Sequence, residues 1–160
     1  LGRTAQGMKG MGLKGDDVVV GMLLVRREAQ VLTVTEMGVG RRTPLDEFPL
    51  QNRGGLGTMA LPTGEEAGAL VSALEVVEEE EVMVVSAGGK VFRVKAGEVP
   101  MQHRRSKGKR IVALSAGDKV VEVTRSSGGR SPEPDGGGEE EGKGPGGVDE
   151  EAMEQMDLLG

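Results

Sequence analysis

Two stretches of the sequence, 31–49 and 82–100, match each other when one is shifted by 51 positions. The identical pairs are Val31/Val82, Val34/Val85, Gly38/Gly89, Arg42/Arg93, Glu47/Glu98 and Pro49/Pro100. An Arg-x-x-x-Gly pattern begins at Arg3, Arg53 and Arg104, with spacings of 50 and 51. A repeat of about 50 residues is typical of propeller blades, where each unit buries its apolar face against its neighbours.

Within each repeat the pattern predicts strands rather than helices, because the apolar runs are short and rich in valine. Glu36-Met37-Gly38 and Ala87-Gly88-Gly89 predict hairpin turns, since glycine can adopt a positive φ. The predicted strands are 18–25, 31–35, 70–77, 82–86, 91–95 and 120–124. We therefore predict an all-β fold of propeller-like blades, each of four antiparallel strands, with repeats at about 1–50, 51–101 and, in part, 102–125.

Charge divides the chain of 160 residues into two parts, although its net charge is only −6. Residues 1–128 hold 18 Lys and Arg against 16 Asp and Glu, whereas residues 129–160 hold 2 against 10. From 126 to 160 the chain is acidic and rich in glycine, with few apolar residues to bury, and this predicts a disordered tail. The negative total therefore conceals a basic body and does not exclude a nucleic-acid partner.

The composition excludes several kinds of catalysis by this chain. It has no Cys, Tyr or Trp and a single His, which excludes thiol and tyrosyl chemistry, disulfides and sites that need several Cys or His ligands. No apolar run approaches the roughly 20 residues of a membrane span. We expect no catalytic residue, no metal, no cofactor and no membrane segment, and we expect the chain to be a piece of a longer protein.

Basic residues recur at equivalent positions of the repeats. Five cations fall in the seven residues from 104 to 110, and along 91–95 Arg93 and Lys95 share the strand face opposite Phe92 and Val94. Such a band binds the phosphate backbone without reading sequence, and the scarcity of aromatics disfavours binding of unpaired bases. The candidate DNA-binding residues are Arg3, Lys9, Arg41, Arg42, Arg53, Gly54, Gly55, Gly57, Arg93, Lys95, Arg104, Arg105, Lys107, Lys109 and Arg110.

The glycine-rich segment 51–57 has two interpretations. Its backbone amides and the guanidinium of Arg53 could bind a phosphate. The alternative is a tight loop that joins two blades. His103, which lies among the cations, is interpreted as a neighbour of phosphate rather than as a catalytic base.

Three segments resemble the DNA gyrase A C-terminal domain. Residues 2–11 look like its inter-blade loop, 33–48 like its penultimate hairpin and 86–93 like its last hairpin. The resemblance covers about residues 1–125, and an acidic tail follows as in many members of the family. It implies a β-pinwheel, a six-bladed propeller variant whose blades exchange strands, of which this chain would hold the last two and a half.

The resemblance also implies a function. The family wraps double-stranded DNA and supports negative supercoiling by an ATP-hydrolysing type II topoisomerase. The rest of gyrase A, together with gyrase B, would be partners in an A2B2 heterotetramer in the bacterial cytoplasm, associated with the chromosome. The breakage tyrosine, ATP and Mg²⁺ would act elsewhere in that enzyme.

The family's Gln-Arg-Arg-Gly-Gly-Lys-Gly box is degenerate in this sequence. Residues 51–57 match it at Gln51, Arg53, Gly54, Gly55 and Gly57, but they carry Asn52 and Leu56 where the box has cations. We therefore expect this copy to contact DNA less strongly. Two alternatives stay open at this point. One is the homologous C-terminal domain of topoisomerase IV, and the other is a propeller-like scaffold for protein partners without DNA contact.

Overall fold

The computed structural model describes residues 4–25 and 28–126. They belong to the first of two units into which the chain divides, Leu1–Gly129. The expected tail, apart from Ser126, lies outside the described residues, as does Arg3. The described elements are β1 (Gln30–Thr35), β2 (Val39–Pro44), β3 (Leu70–Val76), β4 (Glu81–Ser86), β5 (Val91–Lys95), β6 (Lys109–Arg110) and β7 (Val120–Arg125), with 3-10 turns at Leu45–Glu47 and Ala96–Glu98.

The strands form two antiparallel sheets. One has four strands in the order β3-β1-β2-β6, and the other has three described strands in the order β5-β4-β7. In the first sheet the β1–β2 hairpin belongs to the first repeat, β3 to the second and β6 to the third. The predicted all-β fold of blades that exchange strands is confirmed.

The offset of 51 residues is present in the structure as well as in the sequence. β1 and β4 are 51 residues apart at both ends, and so are the two 3-10 turns. Each sheet has an irregularity at equivalent positions, between Val34 and Thr35 and between Val85 and Ser86. Both predicted hairpin turns are confirmed, with φ of 75° at Gly38 and 80° at Gly89.

The hydrophobic core joins the inner faces of the two sheets. Its buried members are Leu32, Val34, Val76, Val82, Val84, Val94, Ala96, Val99, Val112, Val120 and Val123. Most are valines of the predicted strands, and burying each such side chain contributes about 1.5–3 kcal/mol. The short strands therefore owe their stability to one shared core.

The predicted strand over 18–25 is wrong. The segment forms no strand, and the side chains of Val18, Val19 and Met22 are exposed. By the repeat offset this segment is equivalent to β3, which pairs with the β1–β2 hairpin, and none of the described hairpins lies beside it. A strand needs a partner for its backbone groups, so its apolar pattern alone does not form one.

Two strands lie where the apolar pattern predicts none. β2 has the sequence VGRRTP and carries two adjacent arginines, and β6 is only two residues long. β2 follows the predicted turn at Gly38 and pairs with β1 from Gln30↔Pro44 to Val34↔Gly40. Backbone pairing, rather than apolar alternation, accounts for these two strands.

Candidate nucleic-acid interface

Arg41 lies in the interior of the protein rather than on its surface. Its side chain is fully buried. Nη1 donates to the carbonyl of His103 (2.6 Å) and to that of Ser106, and Nη2 donates to the carbonyl of Arg104 (2.7 Å) and to that of Ala60. Burial lowers the pKa of Arg41 from its ordinary value, while the nearby Glu47 carboxylate acts in the opposite direction. Arg41 therefore binds protein carbonyls.

Arg42 is buried on the other side of the same strand. Its Nε donates to the carbonyl of Val99 (2.8 Å), its Nη2 to that of Gly97 (3.3 Å) and its Nη1 to Oε1 of Gln30 (3.3 Å). The side chain joins the first hairpin to the 3-10 turn of the second repeat.

The expectation that Arg41 and Arg42 contact DNA is therefore corrected. Successive strand residues point to opposite faces, so one of two adjacent arginines would normally face solvent. Here, however, carbonyls of later repeats accept bonds from both guanidinium groups, and both side chains are buried. For Arg41 the sequence contains one indication of burial: its repeat equivalent is Phe92, which packs against the core.

The cations of β5 face outward, as predicted. Arg93 and Lys95 are exposed while Val94 is buried. Nη2 of Arg93 forms an ion pair with Oε2 of Glu81 at 2.6 Å. Glu81 is the repeat equivalent of Gln30, so the pair reproduces the Arg42–Gln30 contact at the surface. Of these two cations, Lys95 is the one without an acceptor among the described residues.

Residues 103–110, which we call the basic loop, present the densest free charge of the described chain. Arg104 is half-buried and donates to the carbonyls of Glu47 (3.0 Å) and Met59 (3.1 Å). The remaining four cations are exposed, and no described residue accepts a hydrogen bond from their charged groups. These four are Arg105, Lys107, Lys109 and Arg110.

An open groove of about 550 Å³ lies along the basic loop. Lys107, Lys109 and Arg110 line one wall, and segment 62–67 lines the other with Glu65 and Glu66. The two walls carry opposite charge. An extended anion would therefore meet the cations from the solvent side rather than deep within the groove.

The glycine-rich segment 51–57 is bonded to the N-terminal segment. The Gly54 amide donates to the carbonyl of Gly10 (2.8 Å), and the Gly12 amide donates to that of Gly55 (2.7 Å). Gly54 and Gly57 have φ of 81° and 80°, which favours glycine. These bonds fit a tight joining loop and leave the Gly54 amide occupied, while Arg53 and Lys9 stay exposed.

The described carboxylates with shifted pKa values are held by the protein's own donors. Nδ1 of His103 contacts Glu47 and holds the pKa of that carboxyl below its usual range. The backbone amide of Ala69 and the Lys119 ammonium lower the pKa of Glu36. The hydroxyl of Ser86 and the amide of Gly88 lower that of Asp118. His103 thus has a carboxylate neighbour, and its expected contact with phosphate stays a prediction.

Among the described residues, no group of three or more His, Cys, Asp or Glu is arranged to hold a metal ion. No helix in the same part of the chain is both long and apolar enough to cross a membrane.

The fold and its exposed loops define the class of protein. It is a strand-exchanging repeat protein of the propeller type, with exposed cations on the loops between its repeats. A family model described as "DNA gyrase C-terminal domain, beta-propeller" matches residues 1–26, 29–76 and 80–127. The chain belongs to this family.

Relatives and solved structures agree with this assignment. DNA gyrase A of Pseudomonas aeruginosa is 38% identical over 141 residues, 88% of this chain and 15% of that protein. DNA gyrase A of Kosmotoga olearia is 38% identical over 125 residues, 77% of this chain and 15% of that protein. The chain therefore spans about 15% of the length of these curated relatives.

Two solved C-terminal domains share the fold of this chain. A solved DNA gyrase A C-terminal domain superposes with a TM-score of 0.70 and 32% identity, over 75% of this chain and 41% of that one. The C-terminal domain of a DNA topoisomerase IV gives 0.67 and 19% identity, over 74% and 37%. The second comparison shows a shared fold only.

Proposed function

We propose that this chain is part of the DNA-wrapping region of a DNA gyrase A protein and binds the backbone of duplex DNA electrostatically. One observation carries the proposal: Arg105, Lys107, Lys109 and Arg110 are exposed on one loop without an acceptor among the described residues. Cations that neutralise phosphates release the counterions of the DNA, and this drives binding that does not depend on sequence.

Exposure supports some of the candidate contact residues more than others. The exposed candidates are Lys9, Arg53, Lys95, Arg105, Lys107, Lys109 and Arg110. Arg93 is also exposed but already paired with Glu81, and Arg104 is largely bonded to carbonyls. Arg3 remains a candidate that lies outside the described residues.

The proposed partners and setting come from family membership. Duplex DNA, the remainder of gyrase A, and gyrase B in an A2B2 assembly are the partners, in the bacterial cytoplasm and on the chromosome. This region would support supercoiling by holding DNA, while ATP and Mg²⁺ act elsewhere in the enzyme. The topoisomerase IV alternative is less supported, since its solved domain is 19% identical to this chain against 32% for the gyrase domain.

The salt dependence of duplex binding tests the proposal. The affinity of this chain for a duplex of about 40 base pairs should fall steeply as salt rises, with a log–log slope of about −0.9 for each phosphate neutralised. Replacing Arg105, Lys107, Lys109 and Arg110 by Gln should make that slope shallower by about 3.6 where each of the four neutralises one phosphate.

The matched control replaces Lys90 and Lys119, whose ammonium groups donate to Ser115 and Glu36. Gln at these two positions should leave the slope unchanged. A wild-type slope near zero, or equal slopes for the two variants, would overturn the proposal.

A further inference from the structure

The buried guanidinium of Arg41 bonds mainly to the basic loop. Three of its four acceptors are the carbonyls of His103, Arg104 and Ser106, and the fourth is that of Ala60. The planar fork of a guanidinium can donate in several directions at once, which a lysine ammonium on a flexible stem does less well. Arg41 therefore joins β2 to one end of the loop and to the segment before β3.

The fold does not require an arginine at this position. At the equivalent place in the next hairpin stands Phe92, which packs against the core, and that hairpin has the same turn and the same 3-10 turn after it. Burying a guanidinium is costly unless hydrogen bonds compensate. Of the two described hairpins, only the first has an arginine at this position. The blade fold does not explain this difference, whereas the bonds from Arg41 to the basic loop do.

The basic loop is held at both ends. At its start the amide of Ser106 donates to the carbonyl of His103 (2.9 Å), and Arg41 bonds to both of these residues. At its end Lys109 and Arg110 pair with Gly40 and Val39 of β2. Arg105 lies within the first anchor, and Lys107 lies between the two anchors. The backbone that carries these cations is thus held at the edge of the first sheet.

The geometry points to Arg41 as a positioning residue that holds the cations of the basic loop in one arrangement for duplex backbone. This inference rests on the proposed function, because it assumes that the loop meets phosphates. Arg41 itself touches no DNA. A loop ordered in advance does not have to be ordered on binding, and it can meet several phosphates at once.

The test compares Arg41→Met with Arg42→Met in the whole chain. Both remove a buried guanidinium from the same strand, but Arg42 donates to Val99, Gly97 and Gln30 and not to the loop. At a temperature where both variants are folded, Arg41→Met should bind duplex DNA about tenfold less tightly, with a salt slope shallower by about 2. Arg42→Met should keep the wild-type slope, and amide exchange at Ser106 should rise only in Arg41→Met.

Two further variants separate charge from geometry. Arg41→Lys retains the charge but not the planar guanidinium. Its salt slope should therefore be shallower than that of wild type, as in Arg41→Met. If Arg41→Met does not fold, Arg41→Phe takes its place, because the repeat accommodates Phe92 at the equivalent position. Failure of all three variants to fold would assign Arg41 to the fold and overturn the inference.

The remaining outcomes distinguish the two proposals. A steep wild-type slope with equal slopes for Arg41→Met and Arg42→Met would overturn the positioning role and leave DNA binding standing. A wild-type slope near zero would overturn both.

Discussion

At the scale of single residues, one amino-acid type has two roles at equivalent positions. Arg42 is buried and donates to two carbonyls and a glutamine, whereas Arg93 is exposed and forms an ion pair with Glu81. The partners Gln30 and Glu81 are themselves repeat equivalents. The depth of the site, rather than the residue type, decides whether an arginine can meet a phosphate.

Replacing each of these arginines by methionine should have unequal effects on stability. Arg42→Met removes the donor to the carbonyls of buried Val99 and half-buried Gly97, which should cost about 2–3 kcal/mol. Arg93→Met removes a solvent-screened pair worth about 0–1 kcal/mol. Urea unfolding of the two variants measures the difference, and equal losses would contradict the burial of Arg42.

The Glu47–His103 contact should appear in the pH dependence of stability. The pKa of Glu47 is lowered in the folded chain, so its contribution is present above the ordinary glutamate pKa and is lost as pH falls through the folded value. Glu47→Gln should therefore lose less stability than wild type between about pH 5 and pH 3. His103→Gln should behave in the same way, since it removes the main cause of the shift.

Thermal midpoints at several pH values measure this effect. Glu122→Gln is the matched control, because that carboxylate is exposed and has no partner among the described residues. A Glu47→Gln profile parallel to that of wild type would show that the contact does not contribute.

At the scale of elements, the hairpin is the unit that the repeat preserves. Both hairpins turn through a glycine with positive φ, close with an amide-to-carbonyl bond of 3.0 Å and end in a 3-10 turn. Their surroundings differ. Gly38 is buried, and a Cβ there would lie 2.7 Å from Cγ2 of Val112, whereas a Cβ on Gly89 would meet nothing within 4 Å.

Alanine at these two glycines should separate backbone strain from steric clash. Gly89→Ala should cost about 1–2 kcal/mol from the positive φ alone. Gly38→Ala should cost about 1–3 kcal/mol more, because Val112 must move. Urea unfolding of both variants measures the difference, and a larger loss for Gly89→Ala would contradict the packing around Gly38.

The strands show which elements can be predicted from sequence. The strands at 31–35, 82–86, 91–95 and 120–124 were predicted to within one residue at each end, because their valines enter the shared core and each has a partner strand. The strand predicted over 18–25 has an equally apolar pattern but no described partner, and it does not form. Propensity is local, whereas pairing depends on another segment.

At the scale of the whole molecule, the exchange of strands places the charged loops. β6 comes from the third repeat and pairs with β2 of the first, which brings the basic loop to the edge of the four-stranded sheet. Residues far apart in sequence thereby become neighbours, as in the bond from Arg41 to Ser106. The proposed interface is thus a product of the fold's connectivity.

The sequence alone determined the repeat, the all-β class, the hairpin turns and the division of charge between body and tail. These follow from local patterns: a period, β-branched residues, glycines at turns and the count of charged residues. The tertiary structure alone decided which cations are free. Arg41 and Arg42 are as charged as Arg105 and Lys107, but later repeats cover β2 and bury them. Burial depends on contacts between distant segments, and the residue types of one segment do not contain that information.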